Sequence, residues 1–272
     1  MNRFFIVLLV LGCTYVLLCC LAYFIQEKLI FFPQKLNNDY RFNFPQRFEE
    51  IRIETDDDQI LHGLLFKAKN PRGLIFYLHG NAGSLAGWGE VASIFTDLNF
   101  DLFMLDYRGY GKSTGSIQNE KQLLQDVQTA YSEMLKLYDE DKVIVLGYSI
   151  GTGPAAMLGA TNNPKMVILQ SPYYSLVDVV KHTVPVIPVF LLRYKLETNR
   201  YLKECRMPVV LIHGDSDEVI PYSQSLKLKS VFKSSDMLIT LPGQTHNGMS
   251  FNPDYQKTIK KILDTIDEVT VR

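Results

Sequence analysis

Short, nearly continuous apolar runs constrain the fold of this chain most: Leu74–Leu78, Leu102–Leu105, Val143–Leu146, Met166–Leu169 and Val209–Ile212. A strand that is apolar at every position offers no face to water and must be covered on both sides. Between several of these runs lie helix-length stretches, Trp88–Leu98, Glu120–Leu137, Ile150–Ala160 and Tyr222–Phe232. Strand alternating with helix predicts an α/β protein with a mostly parallel central sheet and helices on both faces. Ahead of them, Glu50–Glu54 and Ile60–Phe66 alternate polar with apolar around the acidic turn Asp56-Asp57-Asp58, which predicts a hairpin. A last strand, Met237–Thr240, and a last helix, Asp254–Val269, close the pattern.

One stretch breaks the alternation. The chain between Gln170 and Val209 contains V-P-V-I-P-V-F-L-L, Val184 to Leu192, too rich in proline for a plain crossover helix. It reads as a short cap insertion, about residues 171–204, lying over the carboxyl edge of the sheet; the alternative is an irregular crossover that buries its own apolar face.

At the other end of the chain no charged residue occurs from Phe4 through Gln26. As a helix this run is roughly 34 Å long, enough to cross a ~30 Å hydrocarbon core. A cleaved signal fits less well, because Cys20-Leu21-Ala22 lacks a suitable small residue for processing, and Gly12-Cys13 follows the bulky Leu11. Residues 1–33 are therefore read as a membrane anchor and juxtamembrane segment, and residues 34–272 as the folded α/β domain. A fragment lacking everything before Gln34 is expected to keep its rate on soluble short substrates. Arg3 stands on one side of the run and Lys28, Lys35 and Arg41 on the other, so basic charge does not set the orientation.

Composition removes several classes of function. The net charge of −1 comes without a Lys/Arg block, so nothing here suits a nucleic-acid backbone. Cys13, Cys19 and Cys20 lie in the apolar run and only Cys205 follows it, which excludes an intradomain disulfide and a cysteine metal cluster. Gly111-Lys112-Ser113 resembles the end of a phosphate-binding loop, but Asp106 occupies the place of its first glycine. No H-E-x-x-H is present. No cofactor and no metal are expected.

The chemistry points to G-Y-S-I-G, Gly147–Gly151, just past one apolar run and at the mouth of a helix. Ligands of open α/β sheets bind at the carboxyl ends of strands. A serine on such a tight turn exposes its hydroxyl and sets the next N–H, that of Ile150, at a helix start where it can face an oxyanion. Serine needs a base, and in this fold class the order is Ser, acid, His. Of five histidines, His62 and His79 precede Ser149, His182 lies in the cap, and His213 ends a strand before any acid that could follow it. His246, in G-Q-T-H-N-G, remains. Asp215, Asp217 and Glu218 all follow the strand Val209–Ile212, and position does not separate them. The strand Leu74–Leu78 runs into H-G-N-A-G, where the Asn81 N–H is expected to supply a second oxyanion donor.

Together HGNAG, DYRGYGKS (Asp106–Ser113), GYSIG, HGDSDEVIP and GQTHN resemble the α/β-hydrolase superfamily. They are most similar to its membrane-anchored α/β-hydrolase-domain proteins of the bud-emergence type, grouped with serine aminopeptidase-like and lysophospholipase-like hydrolases. The family pattern H-G-x-x-D-x-x-I-P selects Asp217 as the acid and maps the oxyanion residue to Asn81. The resemblance implies an α/β-hydrolase fold behind one transmembrane helix and a serine hydrolase with Ser149, Asp217 and His246 as its triad. Its substrate would be an acyl ester or thioester, a small molecule or a lipid, met at the membrane on an extracytoplasmic or lumenal side without an obligate protein partner. A serine aminopeptidase-like activity, or a non-catalytic membrane-binding module on the same fold, are the alternatives.

Overall fold

The computed structural model describes residues 3–266. The chain begins with helix α1 (Arg3–Phe24), the short helix α2 (Gln26–Ile30) and the two-residue strand β1 (Phe32–Pro33). The hairpin β2 (Phe48–Glu54) and β3 (Ile60–Phe66) follows, then β4 (Gly73–Leu78), β5 (Ala82–Gly83), α3 (Leu85–Trp88), α4 (Ala92–Thr96) and β6 (Phe100–Asp106). Next come α5 (Glu120–Met134), β7 (Val143–Tyr148), α6 (Thr152–Thr161), β8 (Met166–Gln170), α7 (Leu176–Thr183) and α8 (Thr198–Glu204). The chain closes with β9 (Val209–Gly214), α9 (Ser223–Leu228), β10 (Met237–Leu241) and α10 (Pro253–Thr265).

Eight strands form one sheet in the order β10-β9-β8-β7-β4-β6-β3-β2. Only the β2–β3 and β3–β6 pairings are antiparallel; the rest of the ladder is parallel, as the continuous apolar runs require. Successive side chains leave a strand on opposite faces. On β4, Leu74, Phe76 and Leu78 join one core with α5, α6 and α8, while Ile75 and Tyr77 join a second with α3, α4 and α10.

Element boundaries depart from the sequence reading where local chemistry intervenes. The single helix expected over Trp88–Leu98 is two helices joined by a tight turn at Gly89–Val91. A Cβ on Gly89 would lie 2.3 Å from the Phe44 ring, so this turn carries a glycine to let the aromatic cluster of the N-terminal hairpin approach. α6 starts at Thr152, after a tight turn over Ser149–Gly151. α9 ends at Leu228, and α10 spans Pro253–Thr265; residues 267–269 of the helix expected there lie outside the described residues.

The segment expected as a cap contains α7, a turn at Val189–Leu191 and α8. α8 packs on α6 and buries Leu202 in the core, so the part that stands off the helical layer runs from α7 to Arg193. α1 is exposed along almost its whole length, Cys19 alone being buried. Among the described residues it is the one helix long and apolar enough to cross a membrane. The next residues behave differently. Phe31 enters the core against the Tyr194 ring, with centroids 5.3 Å apart. β1 pairs in parallel with β5, Phe32 facing Ala82 and Pro33 facing Gly83. A chain begun at Gln34 would lose that buried phenylalanine, about 1.5–3 kcal/mol of burial, and the strand that lines the His79–Gly83 loop.

Candidate active site

Ser149 stands on the turn between β7 and α6 with φ of +52°, in the left-handed region. A non-glycine residue there costs about 1–3 kcal/mol and persists only when its surroundings impose it. The flanking glycines impose it. A Cβ on Gly147 would lie 2.5 Å from the Gly151 carbonyl oxygen, and one on Gly151 would lie 2.3 Å from that of Leu78. The turn is thus pressed backbone to backbone onto the end of β4.

His246 approaches from the loop after β10, with Nε2 3.0 Å from Ser149 Oγ and Nδ1 2.8 Å from Asp217 Oδ2. An ionised carboxylate only accepts, so Nδ1 carries the hydrogen and Nε2 presents its lone pair to the serine hydroxyl. Ser149, Asp217 and His246 are all buried. Asp217 Oδ1 accepts the backbone N–H groups of Val219 and Ile220 at 3.0 and 2.7 Å. Burial alone would push this carboxyl up. Hydrogen bonds from His213 and His246, the charge of His246 and the Ile220 N–H outweigh it and hold Asp217 well below the usual carboxylate range. Asp215 is exposed, and its Oδ1 accepts the Gly243 N–H at 2.7 Å, as a turn-former does. Glu218 accepts the backbone N–H of His246 at 3.1 Å. Of the three acids left open by position, only Asp217 has its carboxylate on the His246 ring.

Two backbone N–H groups are aimed by their neighbours. The Gly80 carbonyl lies 2.6 Å from His79 Nδ1, and in a planar trans peptide the Asn81 N–H points the opposite way. The Ser149 carbonyl accepts the Thr152 hydroxyl at 2.7 Å, which sends the Ile150 N–H in the opposite direction likewise. Asn81, Ser149 and Ile150 share the wall of one cavity. The Asn81 side chain is held by its own bond, Nδ2 donating to the Ile30 carbonyl at 3.1 Å.

The sequence alone places the DYRGYGKS stretch at the floor of the site, but not the partners of its side chains or of the other supporting groups. His213, passed over as a base, has Nε2 3.2 Å from Asp217 Oδ2 and 2.9 Å from the Ile220 carbonyl, while Nδ1 lies 2.7 Å from Ser225 Oγ. It holds the acid rather than the serine. The DYRGYGKS stretch braces the Asn81 loop: Tyr107 donates to the His79 carbonyl at 2.9 Å and Tyr110 to the Asn81 carbonyl at 2.7 Å. Tyr148 donates to the His246 carbonyl. The motif text contained all four residues; which carbonyl each one reaches is a tertiary fact.

The cavity above Ser149 encloses about 480 Å³. One wall is the cap, through Leu176, Val179, Val180, Ile187, Leu191 and Leu192; the opposite wall is the end of the N-terminal segment, through Ala22, Tyr23, Gln26, Leu29 and Ile30. Among the described residues no charged side chain lines it. The two walls are tied by a polar cluster. Gln26 Nε2 donates to the Leu191 carbonyl at 2.9 Å and its Oε1 accepts the Arg193 N–H at 2.9 Å; Glu27 takes the Arg193 guanidinium and, at 2.8 Å, the Tyr194 hydroxyl. No cluster of metal-ligating side chains occurs among the described residues.

Comparison with known proteins adds the following. The sequence family described as serine aminopeptidase, S33 matches residues 69–200. Protein bem46 of Schizosaccharomyces pombe is 28% identical over 256 residues, covering 87% of this chain and 85% of that protein. The uncharacterized protein YfhR of Escherichia coli (strain K12) is 30% identical over 213 residues, 74% of each chain. Among solved structures, an esterase of Pyrococcus furiosus superposes with a TM-score of 0.67 at 16% identity, over 86% of this chain and 97% of that one. Acetyl xylan esterase 1 from Thermoanaerobacterium gives 0.66 at 15%, over 84% and 86%. At such identities the likeness is one of fold.

Proposed function

This chain belongs to the α/β-hydrolase superfamily, and on that premise we propose that it is a serine hydrolase that cleaves carboxylic acyl esters or thioesters, with lipid-like acyl groups favoured. The observation that carries this reading is the relay from Ser149 Oγ through the His246 ring to Asp217, at 3.0 and 2.8 Å, opening onto an apolar cavity. His246 Nε2 takes the Ser149 proton as Oγ bonds to the acyl carbon, and the carbonyl π pair moves onto oxygen. The Asn81 and Ile150 N–H groups receive that oxyanion; such donors supply about 2.7–4 kcal/mol each to a transition state. The intermediate collapses, the bond to the leaving oxygen or sulfur breaks, and the leaving group takes the proton from His246. Water, deprotonated by the same nitrogen, then releases the acyl group and restores Ser149. Asp217 keeps the ring in the required tautomer and balances its positive charge. The N-terminal helix holds the enzyme at a membrane.

The family description favours a second reading, an aminopeptidase. Recognition of a free α-amino group calls for a carboxylate facing the scissile site, and the cavity lining holds none among the described residues. Labelling by a fluorophosphonate probe, abolished in Ser149→Ala, tests the nucleophile. Relative turnover of p-nitrophenyl esters and aminoacyl p-nitroanilides separates the two activities: faster anilide cleavage would replace the esterase reading with the peptidase one.

A further inference from the structure

Proline is an odd residue to concentrate over a site, and Pro185 and Pro188 sit in the exposed tip of the cap. Phe190 is 82% and Val186 67% exposed, a degree of apolar exposure that marks an interaction surface. What covers this surface is indicated by where it rests. The Tyr15 hydroxyl donates to the Val186 carbonyl at 2.8 Å, and Tyr15 lies about 13 Å down the axis of α1 from Phe24 at ~1.5 Å per residue. The cap tip therefore stands beside the middle of the apolar helix, not at its end.

We propose that the segment Val184–Leu192 lies within the hydrocarbon of the bilayer alongside α1, and that the cavity over Ser149 fills sideways, from the leaflet, with a membrane-resident acyl lipid. The substrate half of this statement rests on the serine-hydrolase reading; the placement does not.

Charge distribution agrees with that depth. No charged residue occurs between His182 and Arg193, and both ends of the segment return to a polar level. Arg193 pairs there with Glu27, just past the end of α1, and its guanidinium lies over the Tyr23 ring at 5.3 Å. A belt of Tyr and Arg with apolar chain below it is the signature of a membrane interface.

Part of the backbone is prepared for that depth. Hydrocarbon tolerates irregular backbone only where protein satisfies its polar groups. Pro185 and Pro188 have no N–H to satisfy. The N–H groups of Ile187, Leu191 and Leu192 donate to the carbonyls of Val184, Pro188 and Val189, while among the described residues those of Val186, Val189 and Phe190 have no protein acceptor. The carbonyls of Val186 and Leu191 are taken by Tyr15 and Gln26. The prolines that disqualify this stretch as an ordinary crossover helix remove donors that lipid could not pair.

A second groove adjoins the cavity over the nucleophile on this side. Almost wholly apolar and about 430 Å³ in volume, it runs between α1 and the cap tip, with Tyr15, Cys19 and Phe190 along it. It shares Tyr23 and Leu191 with the cavity over Ser149. On this proposal an acyl chain enters from lipid along the groove and reaches Ser149 past Tyr23 and Leu191.

The test uses the full-length protein in phosphatidylcholine vesicles. The chain has one tryptophan, Trp88, so Phe190→Trp adds one reporter against a known background. Bromine atoms on mid-chain acyl carbons are expected to quench the added emission, and aqueous iodide to leave it unchanged. Quenching by iodide alone overturns the proposal. Quenching by neither overturns it too, and points to a second copy of the chain over the tip.

A second variant reads function. Phe190→Glu lies outside the cavity over Ser149 and is expected to lower kcat/KM on a vesicle-embedded long-chain ester on the order of tenfold, with a dissolved short ester unaffected. Equal loss on both substrates, or none on either, contradicts lateral entry. If bromolipid quenching holds but no ester is turned over, the hydrolase reading fails and the placement stands. If short esters are turned over but iodide does the quenching, the placement fails and the hydrolase reading stands.

Discussion

The two sides of the cavity are built on opposite principles. On the sheet side, Ser149, His246 and Asp217 stand at the ends of β7, β10 and β9, and each polar atom of the relay has a specified partner. On the cap side, apolar side chains from segments far apart in the chain face each other, tied by a cluster around Gln26, Glu27 and Arg193 and by the Tyr15 hydroxyl on the Val186 carbonyl. Strand ends cannot shift without breaking a ladder, whereas a cap held by a few polar ties can open and repack. On the proposed function, fixed geometry serves bond-making and the adaptable wall serves an acyl chain, which needs burial rather than direction.

The strongest way to break this contrast is at the nucleophile. Ser149→Ala should reduce ester hydrolysis on the order of 10⁴-fold or more while leaving the melting curve near that of the wild type. Retention of more than a tenth of the rate would show that the fixed side is not where bonds are made. Asp217→Asn should cost roughly 10³–10⁴ in kcat, through the wrong imidazole tautomer, and Asp215→Asn far less. Comparable losses in both would mean that Asp215 is more than a turn-former.

His213 sharpens the comparison, because it acts on Asp217 and not on the substrate. His213→Gln should lower kcat about tenfold with little change in KM, as outer-shell partners do. A depressed carboxyl gives stability that is fully present above its unfolded value, about pH 3.9, and lost as pH falls through the folded one. The Tm gap between wild type and His213→Gln should therefore be widest above about pH 4 and narrow toward pH 2. A gap that widens in acid would contradict the role assigned to His213.

Smaller effects are expected on the adaptable side. Ile187→Ala should reduce kcat/KM for long acyl chains by up to about tenfold and leave short ones alone, since each buried CH₂ is worth ~0.8 kcal/mol. A flat chain-length profile in the wild type would remove the acyl role of the wall. Smallest of all, Arg193→Met breaks a partly exposed ion pair and should lower Tm by only a few degrees, about 1 kcal/mol or less.

The sequence spoke clearly about one side and poorly about the other. Apolar runs buried on both faces located five of the six parallel strands of the sheet, the half-exposed edge strand β10 being the exception, and the turn glycines around Ser149 located the elbow, because backbone crowding admits few other residues there. The choice of Asp217 needed a family pattern, since three acids in four positions differ only in where the loop turns. The pairing of the N-terminal segment with the cap left no local signal at all. Apolar residues at 22–30 and 176–192 look alike whether they face lipid, solvent or each other, and periodicity carries no information across such a separation. The helix boundaries at Gly89 and Thr152 were missed for a related reason: a distant ring or strand decides them.

Glu27 and Arg193, which tie the two walls together, are separated by 166 residues in the chain. A ribosome adding about 5–20 residues per second delivers the second on the order of ten seconds after the first. Through that interval α1, on the proposed anchoring, is already free to enter a membrane while the wall opposite it does not exist. His246 comes later still. On the proposed function a nascent chain anchored by α1 would be chemically silent, its site assembled only when nearly all of the chain has been made.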